Sequence, residues 1–193
     1  MAARAPEGQR LFRDEHDFSR FETEVERILS RDCTCVAACA LHTHYHLLLQ
    51  VEDGVLASAV HLLNSRYAGV YKARYGKRGH AFSERYMSVP VESDEHLMTV
   101  FRYVMRNPVE AGLCTEPSEW PWSSYRSAIG LEGRFGFADP SSVIACFGGS
   151  VRQMREFVET PWPTSPEPGP GPVRGLAPLL SEEARPSTAP QSS

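Results

Sequence analysis

Apolar side chains recur at helical spacing near the start of the chain, between Asp17 and Ser30. The apolar positions are Phe18, Phe21, Val25, Ile28 and Leu29. Acidic residues lie among the remaining positions, so this stretch is predicted to be an amphipathic helix with acids on its outer face. A longer helix is predicted from Val55 to Tyr75, where Leu56, Val60, Leu63, Tyr67 and Tyr71 repeat in the same way and Gly76 is placed to end it.

Between these helices the pattern changes to that of two β-strands. The run from Cys33 to Leu41 is small and apolar, and a polar break precedes a second apolar run from His44 to Val51. This order predicts an antiparallel hairpin. Side chains two apart on a strand share a face, so His44 and His46 are expected to point the same way, about 7 Å apart along the backbone. That spacing lets two imidazoles reach one metal ion. Two histidines on a half-exposed strand fit the pattern equally well.

A third helix is predicted from Ser93 to Pro108. Ser93 can cap it, acids follow in its first turn, and its core face is formed by Leu97, Val100, Phe101, Val104 and Met105. Tyr103 and Asn107 lie four apart on a neighbouring stripe, which His96 shares. Pro108 is expected to stop the helix just after Asn107. A helical tyrosine is most often a packing residue.

The rest of the chain carries weaker signals. Tyr86 to Val91 is predicted to be a short strand, and the aromatic residues Trp120, Trp122 and Tyr125 favour core packing over base stacking. Short helices are predicted to run from Asp139 to Cys146 and from Ser150 to Glu159. The Pro- and Ser-rich stretch after Pro161 is expected to be disordered. The predicted units are a domain over residues 9–130, a helical extension over 131–160 and a tail over 161–193.

Charge changes the picture in one place. The 193 residues are 41% hydrophobic and carry a formal charge of −4, which excludes binding to nucleic acid by overall basicity. One segment carries several basic residues interleaved with tyrosines, a pattern typical of surfaces that bind nucleic acid. A helix face that is simply exposed to solvent has the same pattern. Its candidate DNA-binding residues are Arg66, Lys72, Arg74, Lys77, Arg78 and Arg85.

The chain has no apolar leader at its N-terminus and no run of eighteen apolar residues, so a cytoplasmic protein that does not enter membranes is expected. Its five cysteines are odd in number and fit reduced thiols. A zinc site that uses Cys33, Cys35 and Cys39 needs an unusual ligand spacing, so buried thiols are the default interpretation.

Four segments in order carry a family resemblance: HYH in the second strand, RYGKRGHAFSERY after the long helix, YVMRNPVEAGL, and WPWSSY. Together they resemble the HUH single-tyrosine transposases, and within them the REP-associated tyrosine transposases. The resemblance extends from Gln9 to about Tyr125. It implies an α+β fold with an antiparallel sheet and helices packed mainly on one face.

The same resemblance implies an activity and its residues. His44, His46 and Asn107 are expected to hold a divalent ion, Mg²⁺ or Mn²⁺, and Tyr103 is expected to attack DNA. The implied partner is single-stranded or hairpin-forming DNA, cleaved and rejoined through a 5′-phosphotyrosine by a monomer or homodimer. Imidazole ligands alone would sooner indicate zinc or another transition metal, so the ion is an inference from the family.

Two departures from the family pattern carry expectations of their own. Only MAARAPE precedes the GQRLF segment, where family members usually have a strand, so the first strand is expected to be missing, either because the start is assigned too late or because the gene is truncated. The rival hypothesis is therefore an inactive, truncated or domesticated remnant that at most binds DNA. The family also commonly has MPN where this chain has Leu41, His42 and Thr43, which makes His42 an additional potential ligand.

Overall fold

The computed structural model describes residues 1–29, 33–52, 54–76, 80–83 and 85–161. The predicted tail after Pro161, Lys77 and Arg78 lie outside these residues. Three strands and six α-helices are described, with a 3₁₀ turn at Pro117–Glu119: β1 (Ala2–Arg4), α1 (Glu15–Leu29), β2 (Cys33–Ala40), β3 (His44–Val51), α2 (Val55–Tyr75), α3 (Asp94–Glu110), α4 (Tyr125–Ala128), α5 (Ser141–Cys146) and α6 (Val151–Glu159). The predicted hairpin and the three long helices are confirmed.

The sheet has the order β1-β3-β2, and both pairings are antiparallel. β3, which carries His44 and His46, is therefore the central strand. The expectation that the first strand is missing is wrong, because Ala2–Arg4 pairs with His44–His46. The strand predicted at 86–91 is also wrong: among the described residues of that stretch, only Met87 forms a bridge, to Ala2. Tyr86 to Val91 thus contributes one bridge next to β1 rather than a strand.

The α+β class with an antiparallel sheet is confirmed, but helices cover both faces of the sheet rather than mainly one. On one face, Tyr45 and Leu47 of β3 join a buried cluster with α1 and α2. On the other, Leu48 of β3 and Cys39 of β2 join a cluster with α3, α5 and α6. Because β3 is buried on both sides, it reads as a nearly continuous apolar run rather than a strict alternation.

The acids of α1 were predicted to lie on its outer face, and Asp17 does not. It is 1% exposed, and its carboxylate accepts hydrogen bonds from the Arg74 guanidinium at 2.5 Å, the Tyr75 hydroxyl at 2.6 Å and the Arg13 backbone N–H at 2.9 Å. Arg74 also pairs with Asp14 at 2.5 Å. This cluster fastens the last turn of α2 to the first turn of α1.

Replacing Asp17 by alanine is expected to lower the free energy of unfolding by about 3 kcal/mol, because three hydrogen bonds to one buried carboxylate are lost. Denaturant unfolding measures the loss. Asp14→Ala is the control: the Asp14 side chain is half exposed, and its removal loses the Arg74 pair and the bond from the Asp17 N–H but leaves the contacts of the Asp17 carboxylate in place. Equal losses in the two variants would contradict a specific role for the buried carboxylate.

α3 begins as predicted, with the Ser93 hydroxyl accepting a hydrogen bond from the His96 N–H at the helix start. It does not end as predicted. Pro108 lies inside the helix, which continues to Glu110, and the Ala111 N–H still bonds to the Asn107 carbonyl. A proline forfeits one helical hydrogen bond, and burial of this turn against the sheet offsets that loss. The turn that holds Asn107 is therefore regular helix.

Residues after α3 form hydrogen bonds with β2, one of the two edge strands of the sheet. The Ala40 N–H bonds to the Trp122 carbonyl and the Ser124 N–H to the Ala38 carbonyl, so the outer edge of β2 is covered. Trp122 and Tyr125 are buried, as core packing requires. The two predicted C-terminal helices are present as α5 and α6, and both pack on α3. None of the five cysteines, each within the described ranges, forms a disulfide bond. No helix in the described part of the chain is long and apolar enough to cross a membrane.

Candidate functional site

The site begins with two histidines on the central strand. His44 and His46 are each 1% exposed. Their alternate positions place them on one face of β3, where the ring centroids lie 5.0 Å apart at 88°. The prediction that they point the same way is confirmed. They are buried beneath a helix, so the alternative of a half-exposed strand with two surface histidines is wrong.

The helix above them is α3. Its central turns bring Tyr103 and Asn107 down onto the histidines: the Tyr103 ring lies 5.4 Å from the His46 ring, and the Asn107 Oδ1 lies 3.2 Å from the His44 Nε2. Asn107 is 1% exposed and Tyr103 4%. Four polar side chains from two distant segments thus meet between β3 and α3.

Several polar atoms of this group have no hydrogen-bond partner within the described structure. They are the His46 Nε2, the Tyr103 hydroxyl and the Asn107 Nδ2, all buried. An unpaired buried polar atom costs about 1–3 kcal/mol, so three in one place are unusual for a site that only stabilises the fold. Three unpaired polar atoms close together are more typical of a site that binds a ligand or a metal ion than of a purely structural one.

The hydrogen bonds of His44 permit either of the two tautomers of its neutral imidazole ring. Its Nδ1 lies 2.9 Å from the Thr43 hydroxyl, and its Nε2 lies 3.2 Å from the Asn107 amide oxygen. If Nε2 carries the proton, it donates to Asn107 and Thr43 donates to Nδ1. If Nδ1 carries the proton, it donates to Thr43, and the Nε2 lone pair faces the amide oxygen. The second state places two acceptors side by side, which a cation between them would stabilise.

Burial also decides the charge state of the site. It lowers the pKa of His46 well below its ordinary value, and the neighbouring His44 acts in the same direction. His46 is therefore neutral, as a metal ligand must be. Burial raises the pKa of Tyr103 to about 12, with the nearby Asn107 side chain acting against it. At pH 7 the phenolate of Tyr103 is disfavoured by about 7 kcal/mol.

These residues fit a divalent ion. The donors available are two imidazole nitrogens and one amide oxygen, from His44, His46 and Asn107, and the orphaned Nε2 of His46 is the observation that tests the fit. No group of three or more His, Cys, Asp or Glu side chains in the described ranges is arranged to hold a metal. The candidate set therefore depends on the amide of Asn107 as its third ligand.

Two neighbours of the site were not expected there from the sequence: Arg4 was not singled out, and Cys39 was considered only as a buried thiol or a zinc ligand. Arg4 of β1 is the antiparallel partner of His44, and its charge contributes to lowering the pKa of His46. Cys39 of β2 is the partner of His46 and is buried in the same cluster as Tyr103. Both positions follow from strand register. The short strand at Ala2–Arg4 has too little sequence pattern to predict that register.

Two other histidines lie away from the group. His42 has its Nδ1 3.2 Å from the Phe12 carbonyl and its ring against Phe18 and Trp120. It belongs to the packing on the α1 side of the sheet. His96, which shares a helical stripe with Tyr103, lies at the start of α3 with its Nδ1 3.4 Å from the Glu92 N–H.

The candidate DNA-binding residues do not form one row. Arg66 and Lys72 are exposed on α2, but six residues separate them, so they lie about 120° apart around the helix. Arg74 is engaged by Asp14 and Asp17, and its charge is balanced there. Arg85 is exposed in the segment after α2.

Comparisons with known proteins identify a family and a similar fold. A family model described as "Transposase IS200 like" matches residues 9–107. That range ends at Asn107 and includes both site histidines and Tyr103. A comparison with curated proteins found no match.

The fold is similar to a solved structure of a REP-associated tyrosine transposase bound to a REP hairpin. The TM-score is 0.55 at 17% sequence identity, and the match covers 68% of this chain and 79% of the other. At this level of identity the likeness concerns the fold.

Proposed function

The chain belongs to the IS200-like transposase family, and on that premise we propose that it cleaves and rejoins single-stranded DNA through a covalent 5′-phosphotyrosine at Tyr103. The observation that carries this proposal is the convergence of Tyr103 with His44, His46 and Asn107 in one buried group. A tyrosine that served only for packing would not need three polar side chains around it, two of them with orphaned atoms.

The roles of the protein groups follow from their positions. The Tyr103 oxygen is the nucleophile that attacks the scissile phosphorus, and the 3′-oxygen of the preceding nucleotide leaves. α3 holds the Tyr103 ring 5.4 Å from the His46 ring, so the nucleophile lies beside the proposed metal ligands of β3. Because the bond energy is kept in the phosphotyrosine, a 3′-hydroxyl can later reverse the step and rejoin the strand.

His44, His46 and Asn107 are proposed to hold a divalent ion, Mg²⁺ or Mn²⁺. When bound, such an ion polarises the phosphate and offsets the negative charge that develops on it. Burial raises the pKa of Tyr103, and a cation beside the Tyr103 oxygen would favour its phenolate. Thr43 supplies the second contact that orients His44, through its hydroxyl on Nδ1.

The experiment that tests the proposal is incubation of the whole chain with a hairpin-bearing single strand and Mn²⁺. A protein–DNA adduct that survives denaturant is expected, and a chelator should prevent it. Peptide mapping then locates the modified residue. A nuclease that activates water would cleave without forming an adduct, and an inactive remnant would bind DNA without cleaving it.

The DNA partner is proposed to be a single strand next to a hairpin, in line with the hairpin held by the solved relative. Exposed Arg66, Lys72 and Arg85 are proposed to contact its phosphates. Lys77 and Arg78 belong to the same proposal from the sequence alone.

Replacing Arg66, Lys72 and Arg85 together by alanine is expected to weaken binding to single-stranded DNA and to flatten its salt dependence. Each lost phosphate contact reduces the slope of log K against log salt by about 0.7. Fluorescence anisotropy across a salt series measures both quantities. Arg74→Ala serves as the comparison: because its charge is already balanced by Asp14 and Asp17, it should leave the slope unchanged rather than reduce it by about 0.7, the change expected for one phosphate contact. An unchanged slope in the triple variant would make these residues a solvated surface.

A further inference from the structure

The C-terminal end of α6 is held by two arginines from α3. The Arg106 Nη1 donates to the carbonyls of Val158 and Glu159, each at 3.2 Å, and the Arg102 Nη2 donates to the carbonyl of Thr160. The last carbonyls of a helix have no partners within the helix and carry its partial negative charge. The two guanidinium groups supply both the missing donors and the complementary charge.

Burying these two arginines side by side costs free energy. Arg102 and Arg106 are each 7% exposed and lie four apart on α3, where like charges oppose each other. Burial and the neighbouring Arg106 both lower the pKa of Arg102. The end of α6 and the carboxylate of Glu110, 3.1 Å from the Arg106 Nε, offset this cost. Arg102 also lies 4.9 Å from the centre of the Phe157 ring.

The contact extends along α6. Met154 and Val158 are fully buried against α3, and the Tyr125 hydroxyl donates to the Glu159 carboxylate at 3.1 Å. α6 is therefore fastened to α3 by an apolar seam along its length and by charged hydrogen bonds at its end. α6 lies beyond the range that the family model matches, which stops at Asn107, whereas Arg102 and Arg106 lie within that range.

The two arginines that bond to the end of α6 lie next to the site residues in the sequence of α3. Arg102 directly precedes Tyr103, and Arg106 directly precedes Asn107. Neighbouring residues on a helix differ by about 100° in direction around the axis and by about 1.5 Å along it. Each of these arginines therefore fixes the rotation and the axial position of the turn that carries one site residue. On the sheet side the Tyr103 hydroxyl and the Asn107 Nδ2 make no hydrogen bond within the described residues, and Asn107 reaches β3 only through its Oδ1, 3.2 Å from the His44 Nε2.

We propose that α6 is a positioning element for the catalytic helix, and that Arg106 and Arg102 act through it to hold Tyr103 and Asn107 over the histidines of β3. This inference rests on the proposed function of Tyr103. It makes residues 151–160 part of the catalytic unit rather than an appended extension. Arg106 is the better test residue, because it bonds two carbonyls of α6 and precedes the proposed metal ligand.

The decisive variant is Arg106→Met in the full chain, which keeps much of the side-chain volume and removes the charged hydrogen bonds. Misplacing a reacting group by about 1 Å can cost 10²-fold in rate, so adduct formation at saturating DNA is expected to slow by at least about 10-fold. Affinity for the DNA should stay within about twofold, because the buried Arg106 is remote from the proposed phosphate contacts. Arg106→Lys restores a cation at the helix end and should recover part of the rate.

Two controls separate positioning from general stability. Arg152→Ala removes a highly exposed arginine from the outer face of α6 and should leave the rate unchanged. Ile28→Val destabilises the core on the other face of the sheet, and at a temperature where every variant is folded it should also react at the wild-type rate. A rate loss in Ile28→Val equal to that in Arg106→Met would overturn the proposal.

A second measurement does not depend on catalysis. Hydrogen exchange at the amides of residues 103–107 should be faster in Arg106→Met than in wild type, with β2 unchanged. Unchanged exchange overturns the proposed clamp, whether or not the wild type reacts. Faster exchange with an unchanged adduct rate overturns its role in positioning. A wild type that forms no adduct refutes the proposed function instead, while the exchange result still decides whether α6 orders this turn.

Discussion

Tyr103→Phe is expected to fold and bind DNA like the wild type and to form no covalent adduct. The substitution keeps the ring that packs against His46 and removes only the oxygen that would attack phosphorus. Because that oxygen has no hydrogen-bond partner in the described structure, its loss should change the free energy of unfolding by no more than about 0.5 kcal/mol. Denaturing gels of the reaction with labelled DNA measure the adduct.

Tyr71→Phe and Tyr75→Phe are the controls. Their hydroxyls bond to groups near the start of α1, Tyr71 to the Arg10 carbonyl and Tyr75 to Asp17, so their loss should affect stability and not the chemistry. An adduct that persists in Tyr103→Phe, or that maps to another tyrosine in the wild type, would show that the nucleophile has been misassigned.

His46→Ala is expected to reduce adduct formation by about 10³-fold while single-strand affinity changes little. The imidazole of His46 is the donor with an orphaned Nε2, so its removal takes away a proposed ligand without breaking a protein hydrogen bond at that atom. Binding of Mn²⁺, followed by its electron paramagnetic resonance signal in the absence of DNA, should weaken in parallel. This second readout does not require turnover.

Asn107→Ala should have a smaller effect, about 10²-fold, because one neutral amide oxygen contributes less than an imidazole. His96→Ala, at the start of α3 and outside the group, is the matched control and should bind Mn²⁺ and react like the wild type. Undiminished Mn²⁺ binding in both His46→Ala and His44→Ala would remove the proposed metal site from β3.

Much of the fold was accessible from local pattern. The limits of α2 and β3 follow from apolar periodicity and from Gly76, and the Ser93 cap marks the start of α3. The errors share a physical cause. Pro108 was expected to end a helix on local grounds, yet packing against the sheet carries α3 on to Glu110. Asp17 was expected to face solvent, yet Arg74 from a distant helix makes its burial favourable.

The sequence by itself determined which residue types are available and on which local face each lies. Alternation along β3 puts His44 beside His46, and a four-residue step along α3 aligns Tyr103 with Asn107. Only the tertiary structure decided that these two pairs meet and that three of their polar atoms lack hydrogen-bond partners in the described structure. It also decided that α6 packs on α3 and that Arg106 bonds to its end. Such contacts depend on strand register and helix packing between segments some sixty residues apart, and local periodicity carries no information about either.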